Sequence, residues 1–374
     1  MEFIDLAAQQ ARLKPRIDAR IAAVLGHGKY IMGPEVAELE TELSAFCGAA
    51  HTITCANGTD ALQLALMALR VGPGDAIFVP SFTFAATAEV APPMGAVPVF
   101  VDVDPISFNM DPDSLVRAID HARKLGLRPT VVIPVDLFGQ AADYTAINAI
   151  VAAEGLKMIG DSAQGFGAVQ NGKMTGTFGD ITTTSFFPAK PLGCYGDGGA
   201  LFTPDPDIAA LLDSYRVHGK GREKYDNVCI GMNSRLDTLQ AAILLEKLAV
   251  YEDEIAARQK VAERYEAGLA NHVMTPRVPE GDRSVWAQYT LRLPSNTARD
   301  ALAAALKAAD IPSVVYYPVP LHQQTAYRDF PQSPDGLETS AMLAQTVLSL
   351  PMHPYLETGA QDRVIAVVQD ALAS

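Results

Sequence analysis

From His51 to Thr203 the chain alternates short, almost wholly apolar runs with stretches of helical spacing. This rhythm limits the fold more than any other feature. Strand-like runs fall at 52–55, 76–80, 97–101, 130–134, 157–160, 182–187 and 200–203. Helical patterns fill 61–69, 83–90, 114–125 and 144–154. A strand that is apolar throughout has to be covered on both faces. The pattern therefore predicts a large, mostly parallel sheet with helices on either side, an α/β domain.

The flanks differ in character. Residues 1–14 read as an extended arm and the start of a helix, and 16–26 and 35–46 as helices around the glycine-broken Lys29-Tyr30-Ile31-Met32. Residues 217–234 are polar and without clear period, and 236–269 form a long helical stretch linking domains. Beyond it, strand-like 287–293 and 313–317 and helical 297–309, 338–348 and 360–372 predict a smaller C-terminal α+β domain. The expected division is 1–250, an N-terminal arm and large domain, and 251–374, a small domain.

Composition narrows the function. Apolar residues make up 49% and charged residues 19% of the 374, so a large core is available and disorder is not expected. A net charge of −14 argues against a nucleic-acid surface, and anions have to be met by local donors. Four cysteines without C-x-x-C spacing suggest reduced thiols and a cytoplasmic setting. No signal-peptide pattern or bilayer-spanning run occurs, so no membrane partner is expected. The seven histidines do not cluster at ligand spacings, so no metal is expected. G-x-G-x-x-G is absent after the first strand, which counts against a nicotinamide site.

Open α/β sheets bind ligands at the C-terminal ends of their strands, and four motifs fall there. Asn57-Gly58-Thr59-Asp60 opens a helix. The amides near Gly58 and Asp60 and the Thr59 hydroxyl can take a phosphate, or the motif is an ordinary cap. Pro80-Ser81-Phe82-Thr83-Phe84 ends the next strand; Phe84 can stack on a flat ring, or be core. Asp161-Ser162-Ala163-Gln164 ends an apolar strand; Asp161 can keep a pyridine nitrogen protonated, or cap a helix. Ser185 can add a hydroxyl to a phosphate. Lys190, bracketed by Pro188 and Pro191 before a glycine-rich run, is either a loop lysine or an imine-forming amine in a desolvated site. Together the four supply a phosphate cradle, a ring stacker, a pyridine partner and an imine lysine.

These motifs resemble the DegT/StrS family of pyridoxal 5′-phosphate-dependent nucleotide-sugar aminotransferases, which have the fold-type I, aspartate aminotransferase-like architecture. The likeness covers essentially the whole chain. It rests on Phe3-Ile4-Asp5-Leu6, Tyr30-Ile31-Met32-Gly33-Pro34, Ala56-Asn57-Gly58-Thr59-Asp60, Asp161-Ser162-Ala163-Gln164, Ser185 through Gly193, Gly231-Met232-Asn233-Ser234-Arg235-Leu236-Asp237 and Tyr317-Pro318-Val319-Pro320.

The resemblance implies a cofactor site of Gly58, Thr59, Asp60, Phe84, Asp161, Gln164, Ser185 and Lys190, with Gln164 near the ring oxygen. It also implies a homodimer with shared active sites, in which Asn233 reaches the neighbour's cofactor phosphate. Arg235 then faces the nucleotide-sugar, at the uronate carboxylate, and Gly28, Tyr30, Tyr316 and Tyr317 are further substrate contacts. L-Glutamate is the implied amino donor. Cys194 through Ala200 and Asn233 through Gln240 are most similar to members that aminate C3 of a 3-keto UDP-N-acetylglucosaminuronate for bacterial surface polysaccharide, including O-antigen. One departure is Tyr316, where such members carry histidine; a tyrosine is uncharged at neutral pH, so the sugar stays open. A 4-keto-sugar aminotransferase of the GDP-perosamine type is the alternative. A sugar dehydratase of this family is disfavoured because Lys190 is a lysine rather than a histidine. A non-catalytic, cofactor-binding regulator is disfavoured because no spare basic domain is present.

Overall fold

A computed structural model describes residues 1–223 and 225–373. Among them, the main sheet has seven strands in the order β1 (His51–Cys55), β9 (Gly199–Thr203), β8 (Ile181–Ser185), β5 (Lys157–Asp161), β4 (Arg128–Val132), β2 (Asp75–Pro80), β3 (Val97–Val101). Neighbouring pairs are parallel except β1 with β9 and β8 with β9, so β9 alone of these seven runs against the rest. A short hairpin, β6 (Val169–Gln170) and β7 (Lys173–Met174), lies outside this sheet.

Side chains alternate across a strand, and here both faces are apolar. In β2, Ala76 and Phe78 join one buried cluster, while Ile77 and Val79 join the other. The first cluster is closed by α2 (Pro34–Cys47), α5 (Pro112–Lys124), α6 (Tyr144–Glu154) and α8 (Thr238–Leu248), the second by α3 (Gly58–Ala68), α4 (Ala86–Glu89) and α7 (Pro206–Tyr215). The sheet is thus covered on both sides, as its uninterrupted apolar strands require.

The flanking elements depart from the sequence reading in four places. The N-terminal arm is shorter than expected, because α1 (Leu6–His27) starts where Asp5 accepts a bond from the Ala8 amide at 2.8 Å. The linking stretch is two helices, α8 and α9 (Tyr251–Leu269), interrupted at Ala249 and Val250. Residues 313–317 make one bridge, Val314 to Ser349, and no strand. The pattern at 338–348 holds α11 (Glu338–Thr346), and the chain then turns into β11 (Val347–Leu350), which pairs antiparallel with β10 (Tyr289–Arg292). These two strands, α9, α10 (Asn296–Ala308) and α12 (Thr358–Ala373) enclose a separate apolar cluster that includes Tyr265, Tyr289, Leu302 and Val364. Between them, Pro331 and Gln332 return to the β3 edge, where the Pro331 carbonyl accepts the Phe100 amide at 2.9 Å.

Candidate active site

A cavity of about 610 Å³ opens at the C-terminal ends of β2, β5 and β8. Its lining includes Gly58, Thr59, Phe84, Asp161, Gln164, Ser185, Lys190, Tyr316 and Tyr317. One wall is the start of α3. Asn57 caps that helix, its side chain accepting the Asp60 amide at 2.8 Å. The Asp60 amide, expected at a phosphate, is bonded to this cap, and Asp60 is not part of the cavity lining. The Gly58 and Thr59 amides remain as donors of the first helical turn. The fit at this wall is close. A Cβ on Gly58 would lie 2.7 Å from the Ser185 Cβ, and one on Gly199 would lie 2.5 Å from the Asn57 carbonyl oxygen. Only glycine lets the helix start press against the end of β8.

Lys190 stands opposite, on a turn in which its amide donates to the Phe187 carbonyl at 2.8 Å. A Cβ on Gly193 would fall 2.6 Å from both the Phe187 and Pro188 oxygens, so the loop folds back on its own backbone. Beneath it the buried Lys247 ammonium donates to the Gly193 carbonyl at 2.6 Å and lies 4.4 Å from the Tyr195 ring centre. Loss of hydration pushes the Lys190 amine below the ordinary lysine range, and the Asp161 charge opposes that shift. Asp161 is only 4% exposed. Burial raises its carboxyl, against bonds from the Ala163 amide at 3.1 Å and the Thr87 hydroxyl at 2.9 Å. A nucleophile that is readily neutral thus faces a carboxylate held by two donors.

The far wall is aromatic. Phe84 leans on Tyr317 with ring centres 6.5 Å apart, and the buried Phe82 meets Tyr317 edge-on at 6.0 Å. The Gln164 amide is fixed at both ends: its oxygen accepts the Phe138 amide at 2.9 Å and its nitrogen donates to the Tyr317 hydroxyl at 3.0 Å. Burial raises the Tyr317 hydroxyl, which keeps it protonated. Ile4 also lines the cavity, and the adjacent Phe3 lies against the Tyr316 ring.

The other sequence candidates lie outside the cavity of their own chain. Gly28 is the left-handed C-cap of α1, and Tyr30 is exposed. Asn233 is exposed beside Val217, and Arg235 is half-buried two residues on. The two stretches meet at one point, where Ile31 bridges Asp237 and the Thr238 amide donates to the Tyr30 carbonyl at 3.0 Å. Thr87, Asp136 and Lys247 escaped the sequence reading. Asp136 alone had a signal: like Asp161, it is a carboxylate just past an apolar run.

The model of the DegT/DnrJ/EryC1/StrS aminotransferase family matches residues 11–369. The chain belongs to this family. The DegT aminotransferase chain is 50% identical over 359 residues, 96% of either chain, to a UDP-2-acetamido-2-deoxy-3-oxo-D-glucuronate aminotransferase from Pseudomonas aeruginosa. It superimposes with a TM-score of 0.98 and 54% identity on a DegT DnrJ EryC1 StrS aminotransferase from Brucella abortus, with all of both chains covered. A Bacillus subtilis protein, NtdA, with bound cofactor PMP matches with a TM-score of 0.90 and 28% identity, over all of this chain and 85% of that one. The fold is that of a fold-type I enzyme, and the cofactor of this DegT aminotransferase is pyridoxal 5′-phosphate. The cavity suits it: helix-start amides and hydroxyls, a desolvated amine and a buried carboxylate line one space, and Gly58 and Gly199 let the start of α3 sit close against β8 and β9.

Proposed function

We propose that this aminotransferase moves an amino group from L-glutamate to a keto nucleotide-sugar. The best-supported acceptor position is C3 of a 3-keto UDP-N-acetylglucosaminuronate, in a cytoplasmic step toward bacterial surface polysaccharide. What carries the reading is the desolvated Lys190 amine facing the buried Asp161 in one cavity. The choice of sugar draws support from the name of the Pseudomonas aeruginosa relative.

When bound, the cofactor supplies an electron-withdrawing ring that stabilises charge at the carbon being deprotonated. The Gly58 and Thr59 amides, with the Thr59 and Ser185 hydroxyls, would hold its phosphate at the positive end of α3. Asp161 would keep the ring nitrogen protonated, and the bonds from Thr87 and the Ala163 amide favour its ionised form against the effect of burial. Gln164 would meet the ring oxygen and Phe84 would cover the ring face. Lys190 Nζ would take the proton from the donor's α-carbon and return one at the acceptor's carbon, as general base and then acid. Glutamate and sugar would use the one cavity in turn, and its aromatic walls would exclude water.

The assembly we propose is a homodimer with shared sites. Next to Tyr30 the apolar Ile31 is exposed, and Ile230, close in the chain to Asn233 and Arg235, is 89% exposed. Arg235 suits a uronate carboxylate, which a guanidinium can bind through two hydrogen bonds. Transfer from glutamate should be assayed across UDP-, GDP- and dTDP-keto sugars, with 2-oxoglutarate as readout. Preference for a 4-keto sugar would replace the 3-keto assignment, and no 2-oxoglutarate with any sugar would overturn the reading.

A further inference from the structure

Asp136 is fully buried and touches neither the cavity nor solvent. Its surroundings tie it to the site. Its Oδ1 accepts the Ala142 amide at 2.9 Å, and its Oδ2 accepts the Ser162 hydroxyl. Its own amide donates to the Asp161 carbonyl at 2.9 Å. Two residues on, the Phe138 amide donates to the Gln164 side chain at 2.9 Å. A Cβ on Gly165 would lie 2.3 Å from the Asp136 Cβ, so the turn after β5 is pressed onto this side chain. The loop after β4 therefore grips the turn 161–164 at Asp161, Ser162 and Gln164.

We infer that Asp136 is a positioning residue for the amino-transfer reaction: its carboxyl, through Ser162, fixes the turn that presents Asp161 and Gln164 to the cofactor ring. The inference rests on the ring placement given under Proposed function. A misplacement of about 1 Å at a reacting centre can cost roughly a hundredfold in rate. Asn at this position keeps an acceptor for Ala142 and can donate to Ser162, whereas Ala loses both.

The test compares wild type, Asp136→Asn and Asp136→Ala holoenzymes. Cofactor release is measured by equilibrium dialysis, and ring orientation by the visible circular-dichroism band of the bound cofactor. Asp136→Ala should raise the cofactor dissociation constant by about ten- to a hundredfold and alter the dichroic band, while Asp136→Asn stays within about threefold. A folded Asp136→Ala with wild-type cofactor affinity and dichroism would overturn the inference. Should Asp136→Ala fail to fold, Ser162→Ala removes the same bond from the other side with a smaller void. An unchanged dissociation constant and band there would overturn it equally. If wild type itself retains no cofactor, the ring placement fails, which is a separate result.

Discussion

At the scale of single residues, the chemistry is set by what burial does to three ionisable groups. Lys190 is the simplest case. Lys190→Ala removes the amine proposed to move the proton, and turnover should fall by at least about 10²–10⁴-fold, measured as 2-oxoglutarate formed from glutamate. Thr87 gives a finer test. Its hydroxyl bond stabilises the ionised Asp161, so Thr87→Val should raise the Asp161 pKa. The acid limb of the pH–rate profile should then move to higher pH, with about a tenfold loss of kcat. Burial lifts the Asp136 carboxyl to about 7, against about 4 for an unfolded chain. The sign follows from linkage: the unfolded chain gives up this proton first, so the stability from a neutral Asp136 is present below about pH 4 and lost as pH rises through about 7. Denaturant melts from pH 4 to 8 should show Asp136→Asn gaining on wild type across that window. That Lys190, Asp161 and Ser185 line one cavity was legible in the sequence because each sits beside proline, glycine or an apolar strand end. Thr87 was not, because one threonine in a helical pattern looks the same whether it faces solvent or a carboxylate.

At the scale of elements, the sheet was readable because strands apolar on both faces admit few alternatives. What was hidden depends on long-range contact. β11 continues a helical pattern, and only its pairing with β10, Tyr289 opposite Leu350, turns it to extended backbone. The interruption at Ala249 and Val250 carries no glycine or proline to announce it. The contact of α3 with β8 was likewise invisible, though it shapes the wall proposed to hold the phosphate. Gly58→Ala would force the helix start off Ser185. Cofactor affinity should fall by about tenfold or more in fluorescence titration, while far-ultraviolet circular dichroism stays native.

At the scale of the whole molecule, separate apolar clusters lie on the main sheet and around β10 and β11, but the proposed division near residue 250 is crossed by Tyr251, Ile255, Val285, Leu321 and Leu337, which join the main-sheet clusters, and by Pro331 and Gln332, which return to the β3 edge. The proposed dimer is open to a direct check. Ile230→Asp places a charge on an exposed apolar position; light scattering after gel filtration should show a shift from dimer toward monomer, with activity falling alongside. A final consequence belongs to β9. Because it runs against its neighbours, the segment from β8 to β9 leaves the sheet and re-enters one lane over, with Lys190 at its crest and Ser185 paired to Gly199 at its foot. Both feet are moored mid-sheet, so neither can slide to absorb a change in length. One residue added or deleted between them would raise or sink the amine like a bucket on a shortened rope, leaving the scaffold intact and the chemistry out of reach.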